Sequence, residues 1–155
     1  MSILTETFTL ENGIQIPKVG FGTWQIPGGK TAYDAVVSAL KTGYRHVDTA
    51  QAYANESSVG KAIKDSGIKR ENIFVTSKLP AEIKTYDGAL AAFDKTMDNL
   101  GLKYLDLYLI HAPCHGVKLG PTMTVIMLRL GKPWKKFIKV AVLKQLVSLI
   151  LMSMI

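Results

Sequence analysis

At 155 residues, with a net charge of +7 and a single cysteine, the chain has room for one domain with a substantial core. The lone thiol, Cys114, excludes an internal disulfide and suits a reducing compartment, and the first ten residues are polar and acidic, unlike a secretory leader. The longest uncharged stretch, 145–155, falls short of the roughly 20 apolar residues that span a bilayer, so a cytoplasmic protein without a membrane partner is expected.

In chain order, residues 8–10 and 14–16 flank Asn12-Gly13 and predict a hairpin with a turn glycine. Residues 19–23 read as a first buried strand, followed by a loop holding Pro27, Gly28 and Gly29. Residues 30–42 place Ala32, Ala35, Val36, Ala39 and Leu40 on one helical face, and Gly43 stops the helix. A second strand covers 46–48, a helix runs from about 57 to 65, and a third strand covers 74–77. A helix over 85–99 turns Leu90, Phe93, Met97 and Leu100 inward before Gly101, and a fourth strand covers 105–110. This alternation predicts an α/β fold with a parallel sheet and right-handed crossovers.

The polar residues at the strand ends carry the chemistry. Asp48 and Tyr53 stand in V-D-T-A-Q-A-Y, Lys78 closes F-V-T-S-K, and His111 closes D-L-Y-L-I-H. In a parallel α/β barrel, active sites are built at the C-terminal ends of the strands. A carboxylate, a phenol, an amine and an imidazole at one mouth make a proton-donating site. The ammonium favours the phenolate, and the carboxylate orients the ammonium. Each residue alone has an ordinary reading: a strand-end cap for Asp48, a loop aromatic for Tyr53, a solvated charge for Lys78, a packed ring for His111. Their common phase favours the catalytic one.

These residues and their surroundings resemble the aldo-keto reductase family, of the bacterial diketogluconate and glyoxal reductase type. The opening L-E-N-G-I-Q-I-P-K-V-G-F-G-T-W resembles that family's N-terminal hairpin and first strand. G-Y-R-H-V-D-T-A-Q-A-Y-A-N-E-S-S-V-G-K-A-I resembles its second strand, catalytic loop and second helix, and R-E-N-I-F-V-T-S-K-L and L-D-L-Y-L-I-H-A-P continue into strands three and four. The resemblance implies a (β/α)8 TIM barrel, present here as the hairpin and about four βα units, since a complete barrel needs about 250 residues. It implies reduction of aldehydes or ketones with hydride from NADPH (or NADH). Tyr53 is then the proton donor, Lys78 lowers its pKa, Asp48 holds Lys78, and His111 orients the carbonyl. Trp24 and His111 line the substrate, while Gly22, Thr23 and Asp48 line the nicotinamide. No metal is expected, the partner is a small carbonyl compound, and the parent protein is expected to be a monomer. The alternative is an inactive, truncated barrel fragment.

Residues 1–113 form the barrel half, and 114–155 a tail of different character. Lys118, Arg129, Lys132, Lys135, Lys136, Lys139 and Lys144 give the tail 7 of the 19 bases and none of the 12 acids, so residues 1–113 are neutral. The tail also lacks strand–helix alternation. The genetic code offers a physical account. Reading each codon's third base with the next two bases forces Asp from Met123-Thr124, Glu from Trp134-Lys135 and Asp from Met154-Ile155. In that frame the codons of L-G-K-P-W-K-K can encode W-K-A-M-E-K, and those of L-V-S-L-I-L can encode G-V-T-N-F. Both strings resemble what the family carries after strand four, so a frameshift near Pro113 is expected. The same origin accounts for W-K-K-F-I-K better than a nucleic-acid strip does. Cys114-His115 has too few ligands for a metal, and Gly20 and Gly22 lack the rest of a dinucleotide fingerprint.

Overall fold

The structure, a computed structural model, describes residues 3–10, 12–83, 85–111 and 130–131. Apart from Leu130 and Gly131, the expected tail of 114–155 therefore lies outside the described residues. The hairpin strands β1 (Thr7–Thr9) and β2 (Gln15–Pro17) pair antiparallel and sit one residue away from the sequence expectation.

Then come β3 (Phe21–Gly22), α1 (Lys30–Thr42), β4 (His46–Asp48), α2 (Glu56–Asp65), β5 (Phe74–Leu79), α3 (Tyr86–Leu100), β6 (Tyr104–Leu105) and β7 (Leu107–Ile110). Strands β3-β4-β5-β7 form one parallel sheet in that order, so every crossover returns the chain to the same end.

The core lies between this sheet and the helices. Val36 and Leu40 of α1, Val59 and Ile63 of α2, and Phe93 and Leu100 of α3 pack with Val47 and Val75 of the sheet, each 6% exposed or less. Burying each aliphatic side chain contributes about 1.5–3 kcal/mol. The helices end as their glycines dictate: Gly43 takes φ 115° and Gly101 φ 60°, left-handed values that cost glycine little. Gly60 has another task. A Cβ there would stand 1.9 Å from the backbone oxygen of Leu100, so only glycine lets α2 lie this close to the end of α3.

The fourth strand differs from the continuous run expected over 105–110. It divides at Asp106, with β7 staying in the parallel sheet while β6 pairs antiparallel with β8 (Leu130–Gly131). Asp106 is the cause. Its Oδ2 accepts from the Val75 amide at 2.9 Å and from Arg70 Nη2 at 2.7 Å, in a largely buried ion pair. Arg70 also donates from Nη2 to Tyr104 O at 2.9 Å and from Nη1 to Ile73 O. One guanidinium thus ties the chain entering β5 to the chain entering β7. Between the hairpin and these N-terminal strand ends lies a groove of about 600 Å3, lined in part by Gln15, Arg45, Glu71 and Asp106. Among the described residues, no helix is long and apolar enough to cross a membrane.

Gly60→Ala is expected to destabilise the chain by about 1–3 kcal/mol, because the added methyl meets backbone that cannot rotate away. Denaturant titration of the two proteins checks this; equal midpoints would show that α2 and α3 can separate without loss.

Candidate active site

Asp48 is the last residue of β4, Lys78 the penultimate residue of β5, and His111 follows the end of β7. Parallel register sets these positions side by side. Asp48 pairs with Thr76, Lys78 pairs with Leu109, and the His111 amide donates to Leu79 O at 2.9 Å. Side chains alternate between faces along a strand, so Thr76 and Lys78 share one face, as do Leu109 and His111. Tyr53 reaches the same mouth from the loop after β4, as the last residue of the 3-10 turn Gln51–Tyr53.

Lys78 is the hub of this arrangement. Its Nζ donates to Asp48 Oδ1 at 2.6 Å, to Thr49 O at 3.1 Å and to the Tyr53 hydroxyl at 3.1 Å. An ammonium has three protons and no lone pair, so all three are used and the phenol oxygen is the acceptor. The phenol's own proton is thereby left to point elsewhere. Side-chain exposures of 13% for Lys78 and 30% for Asp48 place the ion pair under partial cover, where water screens it less than at an open surface. The His111 ring stands edge-on to Tyr53, with centroids 5.3 Å apart at 80°. The sequence-derived set of Asp48, Tyr53, Lys78 and His111 is therefore one cluster.

The electrostatics favour the neutral form of His111. Partial burial lowers its pKa below the ordinary value, the Lys78 cation lowers it further, and Asp48 and Glu82 oppose the shift. A neutral ring can donate a hydrogen bond without carrying charge. His46, deeper on β4 and 2.9 Å from Thr76 Oγ1, is lowered chiefly by burial.

The first strand's end behaves less uniformly. Trp24 is 67% exposed at the mouth. Gly22 pairs with Asp48, and a Cβ built on it would meet nothing within 4 Å, so its backbone faces open space. Thr23 is fully buried instead, with its hydroxyl donating to Asp48 O at 3.1 Å. Gly22 and Trp24 are thus open beside the partly exposed Asp48, while the Thr23 side chain is buried behind them. Among the described residues, no three His, Cys, Asp or Glu side chains gather as metal ligands would.

The family model for the aldo/keto reductase family matches residues 18–145. The chain belongs to that family. The chain is 47% identical over 110 residues to a glyoxal reductase of Bacillus subtilis, covering 71% of this chain and 40% of the relative. Among solved structures, an aldo/keto reductase from Brucella melitensis superposes with TM-score 0.65 at 50% identity, covering 68% of this chain and 41% of that one. One from Bombyx mori, in complex with NADP, superposes with TM-score 0.65 at 37% identity, covering 70% and 38%. The chain spans about 40% of the length of the curated relatives it matches. The parallel sheet and its helices are accordingly part of an α/β TIM barrel, as the motifs implied.

Three residues near the cluster escaped the sequence reading. Thr49 contributes only its carbonyl, which no side-chain pattern reveals. Asn55 and Glu56 open α2 and read as a polar helix start, yet they are 0% and 2% exposed. Glu56 accepts from Ser77 Oγ at 2.7 Å and from Asn99 Nδ2 at 2.8 Å, and burial raises its pKa against the pull of those bonds. Two adjacent polar residues before the apolar V-G-K-A-I run were the available signal.

His111 is expected to titrate below the ordinary ~6.5, and Lys78→Met should move it upward by removing the neighbouring cation. The fold prefers the neutral ring, so the unfolded chain binds the extra proton first. This contribution to stability is complete above pH ~6.5 and is lost as pH falls below it. Histidine NMR titration of both proteins checks the shifts; a His111 value at or above that of a free peptide would contradict the geometry.

Proposed function

We propose that this chain carries the proton-donating site of a carbonyl reductase that converts aldehydes or ketones to alcohols in the cytoplasm. The observation that carries this reading is the Lys78 ammonium, bonded at once to the Asp48 carboxylate and the Tyr53 hydroxyl. NADPH, or NADH in its place, supplies the hydride when bound, and the open space at Gly22 and Trp24 beside Asp48 suits a flat nicotinamide ring.

The residues of the chain do the rest. Tyr53 donates its proton to the oxygen of the carbonyl as negative charge develops there. Lys78 meets the charge left on the phenol oxygen. Asp48 holds Lys78 in place and balances its charge. His111 donates a hydrogen bond that orients the carbonyl, and Trp24 covers it with an aromatic face. Small carbonyl compounds are the substrate class, in keeping with the glyoxal reductase among the relatives, and the parent protein works as a monomer.

A second reading, an inactive barrel fragment, is favoured by the 40% share of its relatives' length that the chain spans. In that reading residues 114–155 arise from a shifted frame after Pro113. Nucleotide sequence across codons 112–116 distinguishes the two: an intact downstream frame encoding the W-K-A-M-E and G-V-T-N-F strings supports the shift, and its absence removes it.

In the protein with that frame restored, Tyr53→Phe should cost about 10²–10⁴-fold in carbonyl reduction while NADPH binding stays nearly unchanged. Turnover and cofactor fluorescence measured side by side check both halves of this statement. Wild-type turnover in Tyr53→Phe would remove the proton-donor role.

Lys78→Met should be severely impaired in the same assay, because the charge left on the phenol oxygen loses its cationic neighbour. An unchanged rate would show that the ammonium serves only packing.

A further inference from the structure

The described residues contain two non-glycine positions with left-handed backbone, Gln25 at φ 60° and Ala54 at φ 55°. They lie far apart in sequence, yet both flank one side chain. Ala54 immediately precedes Asn55, which is fully buried. Gln25 is the third residue of the turn Thr23–Ile26, closed by the Ile26 amide on Thr23 O at 3.2 Å. A positive φ at this position normally calls for glycine or asparagine.

The Asn55 amide holds that turn from inside. Its Nδ2 donates to Thr23 O at 2.9 Å and to Ile26 O at 3.0 Å, one carbonyl at each end of the turn. Its Oδ1 accepts from Thr49 Oγ1 at 3.0 Å, the residue after Asp48 and the one whose carbonyl accepts a hydrogen bond from Lys78. Two carbonyls can only accept, so they fix which end of the amide is the NH2. Asn55 stands at the N-cap of α2 but makes no capping bond with its side chain. Its hydrogen-bonding capacity goes into joining two loops. One loop carries Trp24; the other carries Tyr53.

We propose that Asn55 is a positioning residue that clamps the strained Trp24 turn to the Tyr53 loop, so that the aromatic wall and the proton donor of the carbonyl site are held as one body. The functional side of this clamp rests on the assignment of Tyr53 and Trp24 to that site. The clamp itself is a matter of backbone order and can be measured without turnover.

Asn55→Asp tests it, because the carboxylate keeps the shape and the acceptor but loses both donors to the turn. Hydrogen exchange by mass spectrometry on the full chain reads the Ile26 amide in a 21–28 peptide, with the β5 amides of 74–79 as internal reference. Exchange at Ile26 should accelerate at least about tenfold while β5 is unchanged. Adding Gln25→Gly should restore most of the protection, since glycine holds φ 60° without help. Should Asn55→Asp leave no folded chain, Thr49→Val decides. It removes one bond to the amide and should accelerate Ile26 in the same direction by a smaller factor.

Unchanged exchange at Ile26 would overturn the proposal. So would acceleration shared equally by β5, or no rescue by Gln25→Gly, or a wild-type chain with no protection at Ile26. A chain that reduces no carbonyl would leave the clamp result standing, and a failed clamp would leave the Tyr53→Phe comparison standing.

Discussion

An ammonium under partial cover must find an acceptor for each of its protons, and the arrangement around Lys78 follows from that requirement. Its three partners all come from the short segment 48–53, which holds the end of β4, the backbone just beyond it, and the 3-10 turn that follows. They converge only if β4 and β5 run parallel and in register, with Asp48 opposite Thr76. A slip of one residue would turn Lys78 to the helix side of the sheet and leave a charge against the apolar core. The strands' apolar pattern and the lysine's need for partners select the same register.

The layer behind the sheet is built to hold that register. Ser77, next to Lys78 and pointing the other way, donates to Glu56 at the start of α2, and Glu56 in turn receives Asn99 from α3. The close approach at Gly60 brings those two helices together so that the carboxylate can be shared. At the opposite end of the strands, Arg70 and Asp106 join the entries to β5 and β7. Polar groups buried in this way are costly unless satisfied, so the pairs favour one arrangement of helices and strands over near alternatives. The geometry of the Lys78 cluster and the specificity of the fold are thus both supported by buried polar contacts.

Much of this was legible in the chain. Helix α1 and strand β4 have the bounds their periodicity and glycines predict, because a strong apolar face and a left-handed stop are local signals. The four clustered residues could be named because strand ends in a parallel sheet share a mouth. The division of the fourth strand at Asp106 was not legible, since an aspartate between Leu105 and Leu107 reads as an ordinary break in an apolar run. Only the position of Arg70 and of the Val75 amide shows why the chain turns there. Thr23 is a similar case: expected to line the nicotinamide, it is buried with its hydroxyl on Asp48 O.

The sequence by itself determined the class of fold, the family and the identity of the clustered side chains, because these depend on residue type and on spacings within short segments. Tertiary structure decided which acceptors Lys78 satisfies, that Asn55 spends its amide on the Trp24 turn rather than on its own helix, and that the surroundings of His111 favour its neutral ring. Those outcomes depend on distances between groups far apart in the chain, such as Lys78 and His111. Burial and through-space charge act at such distances without leaving a periodic mark in the chain.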